Sequence, residues 1–136
     1  MDQPRPHPPA TAGPGIYDEL TEPATYRGPW QCDRQFPSAW QGTLVYTNTP
    51  KSSVEFDYDG AAVSILYTAA ANRRRASVVL DNRPPVVLSE WSSATRWQQR
   101  FSLPAEPGRH RLHLEVLDGY VDVDGWTVDP AAKINR

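Results

Sequence analysis

The chain has 136 residues, 39% of them hydrophobic and 22% charged, which is enough for one domain with its own apolar core. The net charge of −2 gives no basic footprint for nucleic acid, and no apolar run approaches the roughly 18 residues that span a bilayer. Cys32 is the only cysteine, which excludes an intrachain disulfide and a cysteine-based zinc site. We therefore expect one globular domain with no nucleic-acid partner and no membrane insertion.

The first fifteen residues differ in composition from the rest. Five of the fourteen prolines lie there among glycine, alanine and threonine, which is typical of an extended linker or disordered arm. This segment also lacks the apolar stretch of a secretory signal. We predict a Pro-rich arm at 1–15, a β-sandwich module at 16–129 and a tail at 130–136. The linker composition suggests a neighbouring domain.

Period-two alternation dominates the remainder of the chain. Short segments with this pattern, bounded by glycine, proline, aspartate or asparagine, predict strands at 42–46, 53–59, 62–67, 75–80, 86–88, 97–103, 109–117 and 119–128. No stretch keeps a helical period between good caps. About eight short strands with turn signals between them predict an all-β fold, an antiparallel β-sandwich or jelly roll.

The clearest alternation lies in residues 53–59, where three apolar side chains alternate with acidic ones. This pattern predicts a strand with one buried and one wet face. Asp59-Gly60 then supplies a turn signal, so residues 62–67 are expected to return as the hairpin partner.

Residues 119–128 end the pattern. The valines before Gly125 are in one phase and Trp126 is in the other, which predicts a β-bulge at this glycine. Asp122 and Asp124 alternate with the valines and are expected to face solvent or a neighbouring loop.

The order of several short motifs resembles that of galactose-binding-like β-sandwich modules, which are appended to bacterial secreted hydrolases and surface proteins. The matching segments are YRGPW at 26–30, GTLVYTNTP at 42–50, VEFDYDG at 54–60, VVLD at 78–81, the L-x4-G-x-H-x-L pattern at 103–112 and YVDVDG at 120–125. The chain departs from the family pattern at Gly60-Ala61 and at Asp81-Asn82. The resemblance implies a galactose-binding-like fold over about residues 16–128.

The same resemblance implies a carbohydrate ligand, although many modules of this family have no known one. It also implies a structural calcium ion, held by acidic residues near the N-terminus and an aspartate of the last strand. The residues at these places are Glu19, Asp122 and Asp124. Their oxygen ligands suit this hard cation.

The sequence gives little support for catalysis. His7 lies in the arm, and His110 and His113 point to opposite faces of one predicted strand, so they cannot share a metal. Neither a nucleophile elbow nor a phosphate-binding glycine loop is present. Paired carboxylates occur only at alternate positions of single strands, with nothing in the sequence to raise the pKa of one of them. We predict that the chain is not an enzyme.

Five tryptophans and six tyrosines exceed what a core of this size needs. Aromatic rings stack on the C–H faces of sugars, while arginine and asparagine bond their hydroxyls. Residues 67–75 and 90–98 mix these residue types, and they end and begin successive strands, so they are expected to meet at one end of the sandwich. The candidate ligand-binding residues are Trp91, Trp97, Tyr67, Asn72, Arg73, Arg74 and Trp40. Trp97 and Tyr67 fit a core role equally well, and the arginines fit a solvated loop.

These observations favour a non-catalytic carbohydrate-binding module that brings a linked catalytic domain to a polysaccharide or glycan. We expect such a module in an extracellular or cell-surface protein. Two alternatives stay open: a structural or assembly domain that makes protein contacts, and a spacer domain of a larger hydrolase.

Overall fold

The computed structural model describes residues 11–19, 21, 23–33 and 44–130, and this part of the chain is all β. Its strands are β1 (Gly15–Asp18), β2 (Ala24–Arg27), β3 (Gln31–Asp33), β4 (Leu44–Thr47), β5 (Ser53–Gly60), β6 (Val63–Ala69), β7 (Arg75–Leu80), β8 (Val86–Ser89), β9 (Arg96–Leu103), β10 (Gly108–Asp118), β11 (Val121–Val123) and β12 (Gly125–Val128). The predicted fold class, an antiparallel β-sandwich, is confirmed. Among these residues, none forms a helix long and apolar enough to cross a membrane.

Two large antiparallel sheets and one small one make up the described fold. A four-stranded sheet has the order β1-β12-β6-β9, and a five-stranded sheet has the order β2-β5-β10-β7-β8. A three-stranded sheet, β11-β4-β3, continues from the four-stranded one through the closing segment of the chain. Every ladder between these strands is antiparallel.

The core lies between the two large sheets. The Phe56 ring of β5 stacks on the Trp126 ring of β12 at 4.7 Å between centroids and 5° between planes, so this pair joins the sheets. Val54 and Tyr58 share the inward phase of β5, as the alternation predicted. On β10, Leu112 belongs to the same cluster of fully buried side chains.

The predicted hairpin between residues 53–59 and 62–67 is wrong. β5 pairs with β2 and β10, whereas β6 pairs with β12 and β9, so the chain crosses from one sheet to the other at this point. Gly60 allows the crossing because its backbone approaches Val128 and Asp129 closely. A Cβ at Gly60 would lie 2.6 Å from Val128 Cγ1 and 2.7 Å from the Asp129 carbonyl oxygen. The turn signal was present, but it marks a change of sheet.

The folded module begins earlier than predicted. Ala12 is buried, its N–H donates to the Asp57 carbonyl at 3.0 Å, and its own carbonyl accepts from Asp59 N–H at 2.8 Å. Gly15 already belongs to β1. The predicted arm therefore extends too far at its C-terminal end, while residues 1–10 and 131–136 lie outside the described residues.

The predicted bulge at Gly125 is also a change of sheet. Residues on either side of Asp124 belong to different sheets: β11 pairs with β4, and β12 pairs with β1 and β6. The Asp124 N–H donates to the Leu66 carbonyl at 2.7 Å, which fixes the crossing point. Gly125 does not adopt a positive φ, so its role is spatial, since a Cβ there would meet the Tyr17 carbonyl at 2.6 Å.

Candidate functional site

The two stretches predicted to bind ligand meet at one end of the sandwich. Trp91 and Ala70 form an isolated β-bridge, in which Ala70 N–H donates to the Glu90 carbonyl and Ser92 N–H donates to the Ala70 carbonyl, each at 3.1 Å. The Glu90 N–H donates to the Arg74 carbonyl at 2.9 Å. The expected proximity of the two stretches is therefore confirmed, and backbone hydrogen bonds hold the loops together.

Two exposed aromatic side chains flank the loop of residues 70–74. Trp91, on one side, is 53% exposed, and Tyr120, on the other, is 38% exposed. Tyr120 is held by a bridge to Arg73 and by the Arg74 N–H, which donates to its carbonyl at 2.8 Å. Its ring contacts that of Tyr46, with 6.2 Å between centroids. We call the surface formed by Trp91, Tyr120 and the 70–74 loop the aromatic end face.

A buried polar cluster supports this loop from below. Asp122 has no exposed surface; its Oδ1 accepts from Thr68 N–H at 2.8 Å, and its Oδ2 is ion-paired with Nε of Arg73. Glu90, also fully buried, accepts the Asp122 N–H through Oε1 at 2.8 Å. Asp122 and Asp124 were expected to face solvent or a neighbouring loop; solvent is wrong, because both are fully buried, whereas Asp122 does contact the neighbouring loop through Arg73. The chain changes sheet between them, so alternation no longer decides which face each one occupies.

The two buried carboxyl groups, those of Glu90 and Asp122, differ in the groups that surround them. Burial raises the pKa of Glu90 well above its usual range, and the negative charge of Asp122 acts in the same direction. Burial also raises the pKa of Asp122, to about 6, although Arg73 and the Thr68 N–H oppose the shift. Arg73 and the Thr68 N–H therefore favour the ionised form of Asp122, whereas burial favours the protonated form of Glu90. Glu90 Oε2 has no hydrogen-bond partner among the described residues, which a neutral carboxyl tolerates better than an ionised one.

The other predicted site residues are spread over this end of the molecule. Tyr67 is half-buried, and burial first and the charges of Glu90 and Asp122 next raise the pKa of its hydroxyl. Asn72 is exposed and accepts a hydrogen bond from Arg73 Nη1 at 2.7 Å.

The last three predicted site residues are Arg74, Trp97 and Trp40. Arg74 is exposed, whereas Trp97 is half-buried beside Gln98, whose φ of 54° marks a bulge in β9. Trp97 therefore lies at the edge of the core and is not a fully exposed platform. Trp40 falls outside the described residues.

Tyr120 and Glu90 were not predicted from the sequence as parts of this site. Tyr120 stands in a strand-like run, and only its position after Gly119, which has a φ of 57°, shows that a turn presents it to solvent. Glu90 lies inside a stretch that was singled out, but an acidic residue between a strand and a tryptophan resembles an ordinary surface residue. Its burial depends on three chain segments that meet only in the fold.

The implied calcium ligands divide into two groups. Both oxygens of Asp122 already accept hydrogen bonds, and one faces a guanidinium, so Asp122 does not fit a divalent cation. Glu19 and Asp124 fit better, because both are fully buried and both adjoin the paired residues: Glu19 follows Asp18, and Asp124 precedes Gly125. Within the described ranges, no group of three histidine, cysteine or acidic side chains is placed to hold a metal.

Comparison with known proteins gives structural neighbours only. No family model and no curated protein matches the chain. A family two carbohydrate esterase from Cellvibrio japonicus is similar, with a TM-score of 0.64 at 16% identity over 90% of this chain. A two-domain esterase active on acetylated mannans gives 0.65 at 13% over 98%, and an exo-β-1,3-galactanase from Phanerochaete chrysosporium gives 0.61 at 13% over 87%.

In each case the similarity covers a minority of the neighbour. This chain corresponds to 36% of the first protein, 41% of the second and 30% of the third. At such low identity, the similarity shows a shared β-sandwich fold.

Proposed function

We propose that this chain is a galactose-binding-like, non-catalytic module that binds carbohydrate at the aromatic end face. The observation that supports this most directly is the exposed Trp91, fixed by backbone hydrogen bonds to the 70–74 loop. A rigid, flat indole at the surface is a suitable partner for the C–H face of a sugar ring. Its structural neighbours include proteins whose names refer to carbohydrate, mannan and galactan.

The roles of the side chains follow from their positions. Trp91 and Tyr120 stack on sugar rings, while Asn72 and Arg74 bond hydroxyls from the loop between them. Arg73 and Asp122 hold that loop in place through their buried ion pair. Glu90 and Asp122 have no exposed surface, so neither carboxyl reaches a bound sugar, which supports a binding role over a catalytic one.

The wider setting is part of the same proposal. The module accompanies a linked catalytic domain in an extracellular or cell-surface protein and brings that domain to its polysaccharide. The small share of each neighbour that this chain covers fits such an arrangement.

Affinity electrophoresis through gels containing soluble polysaccharides, followed by titration calorimetry, tests the proposal. We expect at least one polymer to retard the protein and Trp91→Ala to abolish the retardation. Ile16→Ala is the matched control, because Ile16 is 59% exposed but lies on β1, away from the face. Migration unchanged in every gel, or equal loss from both variants, would refute the proposal.

A structural calcium ion is a second part of the proposal. Glu19 and Asp124 would hold it, because both carboxyl groups are fully buried and lie next to the paired residues Asp18 and Gly125. If calcium is bound, a chelator should lower the melting temperature and added calcium should restore it, while Asp124→Asn should remove this response. A melting temperature unaffected by chelator would exclude the ion.

An assembly role is the alternative that a specific feature favours. β8 is the edge strand of the five-stranded sheet, and Val86 and Val87 on it are 43% and 53% exposed. An exposed apolar edge strand is a template for pairing with another chain. Light scattering would detect a dimer, and Val87→Lys should dissociate it if this edge forms the interface.

A further inference from the structure

We propose that the glycan bound at the aromatic end face is anionic, and that Arg74 and Arg96 recognise its carboxylate or sulfate groups. The inference rests on the proposed function and specifies the class of ligand. It follows from the way in which the charges around Trp91 and Tyr120 are paired.

Two of the arginines at this end are neutralised within the protein. Arg73 is ion-paired with the buried Asp122. Arg75 forms a salt bridge with Asp118 at 2.8 Å, and Asp118 Oδ1 also accepts the Arg75 N–H at 3.1 Å. These two pairs account for Asp118 and Asp122, and the third acid of the described segments around the face, Glu90, is fully buried.

Arg74 is held by hydrogen bonds, but within the described part of the chain it forms no salt bridge with an acid. Its Nη1 donates to the carbonyls of Ala71 and Arg73, each at 2.9 Å, so the guanidinium is oriented by neutral groups. Its charge helps to lower the pKa of Asp118, but the hydrogen bond from Arg75 is the main cause of that shift. The side chain lies against Gly119, immediately before Tyr120.

Arg96 brings a second cation to the other side of the face. It is exposed, and among the described residues no hydrogen bond or ion pair engages its side chain. Its register partner on β6 is Ala69, the residue before Ala70, which bridges to Trp91. The loop from Trp91 to Arg96 is thus fixed at both ends, to Ala70 and to Ala69, the last residue of β6.

The uncompensated charge of the aromatic end face is therefore positive. In the segments 70–75, 89–96 and 118–122, the acidic residues are Glu90, Asp118 and Asp122, and none of them is an exposed, unpaired carboxylate. A guanidinium binds carboxylate or sulfate oxygens through two parallel hydrogen bonds, which gives direction as well as charge. Two such groups beside two aromatic rings suit an acidic sugar better than a neutral one.

The test uses polymers that differ only in charge. Affinity electrophoresis and calorimetry compare polygalacturonate with its methyl ester, and dextran sulfate with dextran. We expect binding to at least one charged polymer and at least tenfold weaker binding to its neutral counterpart, and the pair that responds identifies the anionic group. Arg74→Gln and Arg96→Gln should each weaken binding about three- to tenfold, as expected for the loss of one charge-assisted contact.

A control variant distinguishes specific recognition of the anionic groups from non-specific electrostatic attraction. Arg109 is an exposed residue of β10 that lies opposite Asp59 of β5. Arg109→Gln removes the same charge as the two test variants, and it should leave the affinity for the charged polymer unchanged. Equal affinity for charged and neutral polymers, or an equal effect of Arg109→Gln, would overturn this inference but leave carbohydrate binding intact. Failure to bind any polysaccharide, the wider gel panel included, would overturn the proposed function and the inference with it.

Discussion

At the scale of single residues, the unusual group is Glu90, a fully buried acid beside a second buried acid. Burial and the Asp122 charge raise its pKa, so between the unfolded and folded pKa values the native state holds a proton that the unfolded state has released. Stability from this group is therefore highest in acid and falls as the pH rises toward the raised pKa. Asp122 shifts in the same direction.

Glu90→Gln should remove the contribution of Glu90, because glutamine keeps the carbonyl that accepts the Asp122 N–H and carries no proton to lose. Relative to the wild type, the variant should gain about 1 kcal/mol or more in free energy of unfolding between pH 5 and pH 8. Urea denaturation at both pH values measures this, with the exposed Glu106→Gln as control. A variant that kept the wild-type pH dependence would show that Glu90 does not titrate in this way.

Gly119 determines where Arg74 lies. Its φ of 57° is a left-handed conformation, and a Cβ there would lie 2.6 Å from Arg74 Cβ. Gly119→Ala should therefore cost about 1–2 kcal/mol of stability and also weaken glycan binding, since Arg74 must move. Gly13→Ala, where an added Cβ meets no atom within 4 Å, should change neither quantity. Denaturation and affinity electrophoresis measure the two effects, and normal binding by Gly119→Ala would contradict the proposed role of Arg74.

At the scale of elements, the turn after β7 is tied to the start of β10 by one histidine. Asp81, with a φ of 55°, accepts the Arg111 N–H at 2.9 Å and lies 2.6 Å from His110 Nδ1, while His110 Nε2 lies 2.6 Å from the Glu106 carbonyl. Both ring nitrogens face acceptors, so the imidazolium satisfies them together. Burial lowers the pKa of His110, but the contacts with Asp81 and the Glu106 carbonyl outweigh it and raise the pKa overall.

This turn should therefore stabilise the fold in a defined pH window. A raised histidine pKa gives stability that is fully present below about pH 6.5 and is lost as the pH rises through the folded pKa. For Asp81, burial is outweighed by its hydrogen bonds and the pKa is lowered, so its contribution is lost only in acid. The stability difference between wild type and His110→Gln should be larger at pH 6 than at pH 9. In an Asp81→Asn background this pH dependence should shrink, and its persistence would assign the effect to another group.

The elements also show where sequence reasoning succeeds. Residues 75–80 were predicted as a strand and form β7, in which Ala76, Val78 and Leu80 alternate as the buried side chains before the turn that follows. The order of the sheets was not predictable from the same pattern. Gly60 and Asp124 mark points where the chain changes sheet, and a turn signal in the sequence does not distinguish a change of sheet from a hairpin.

The candidate site shows the same division. The exposed Trp91 and the meeting of the 70–74 and 90–95 loops were expected from composition and chain order. Tyr120 and the buried Glu90–Asp122 pair were not, because they reach this end only through contacts between segments distant in sequence. Local sequence patterns therefore identified Trp91 and the two loops, whereas the positions of Tyr120 and the buried pair depend on long-range strand pairing.

At the scale of the whole molecule, the described sandwich has one core, and the stacked rings of Phe56 and Trp126 connect its two large sheets. Because each sheet buries its inner face only against the other, neither sheet is expected to survive alone. The two sheets should therefore unfold in a single cooperative transition.

Phe56→Ala tests this and keeps all five tryptophans as fluorescence reporters. Truncation of a fully buried ring should cost about 3–5 kcal/mol, whereas Ile16→Ala, at an exposed position of β1, should stay within about 0.5 kcal/mol of the wild type. Circular dichroism and fluorescence should give coincident denaturation curves for every variant that remains folded. If Phe56→Ala separated the two curves, the sheets would unfold independently, and the stacked pair would not be the link between them.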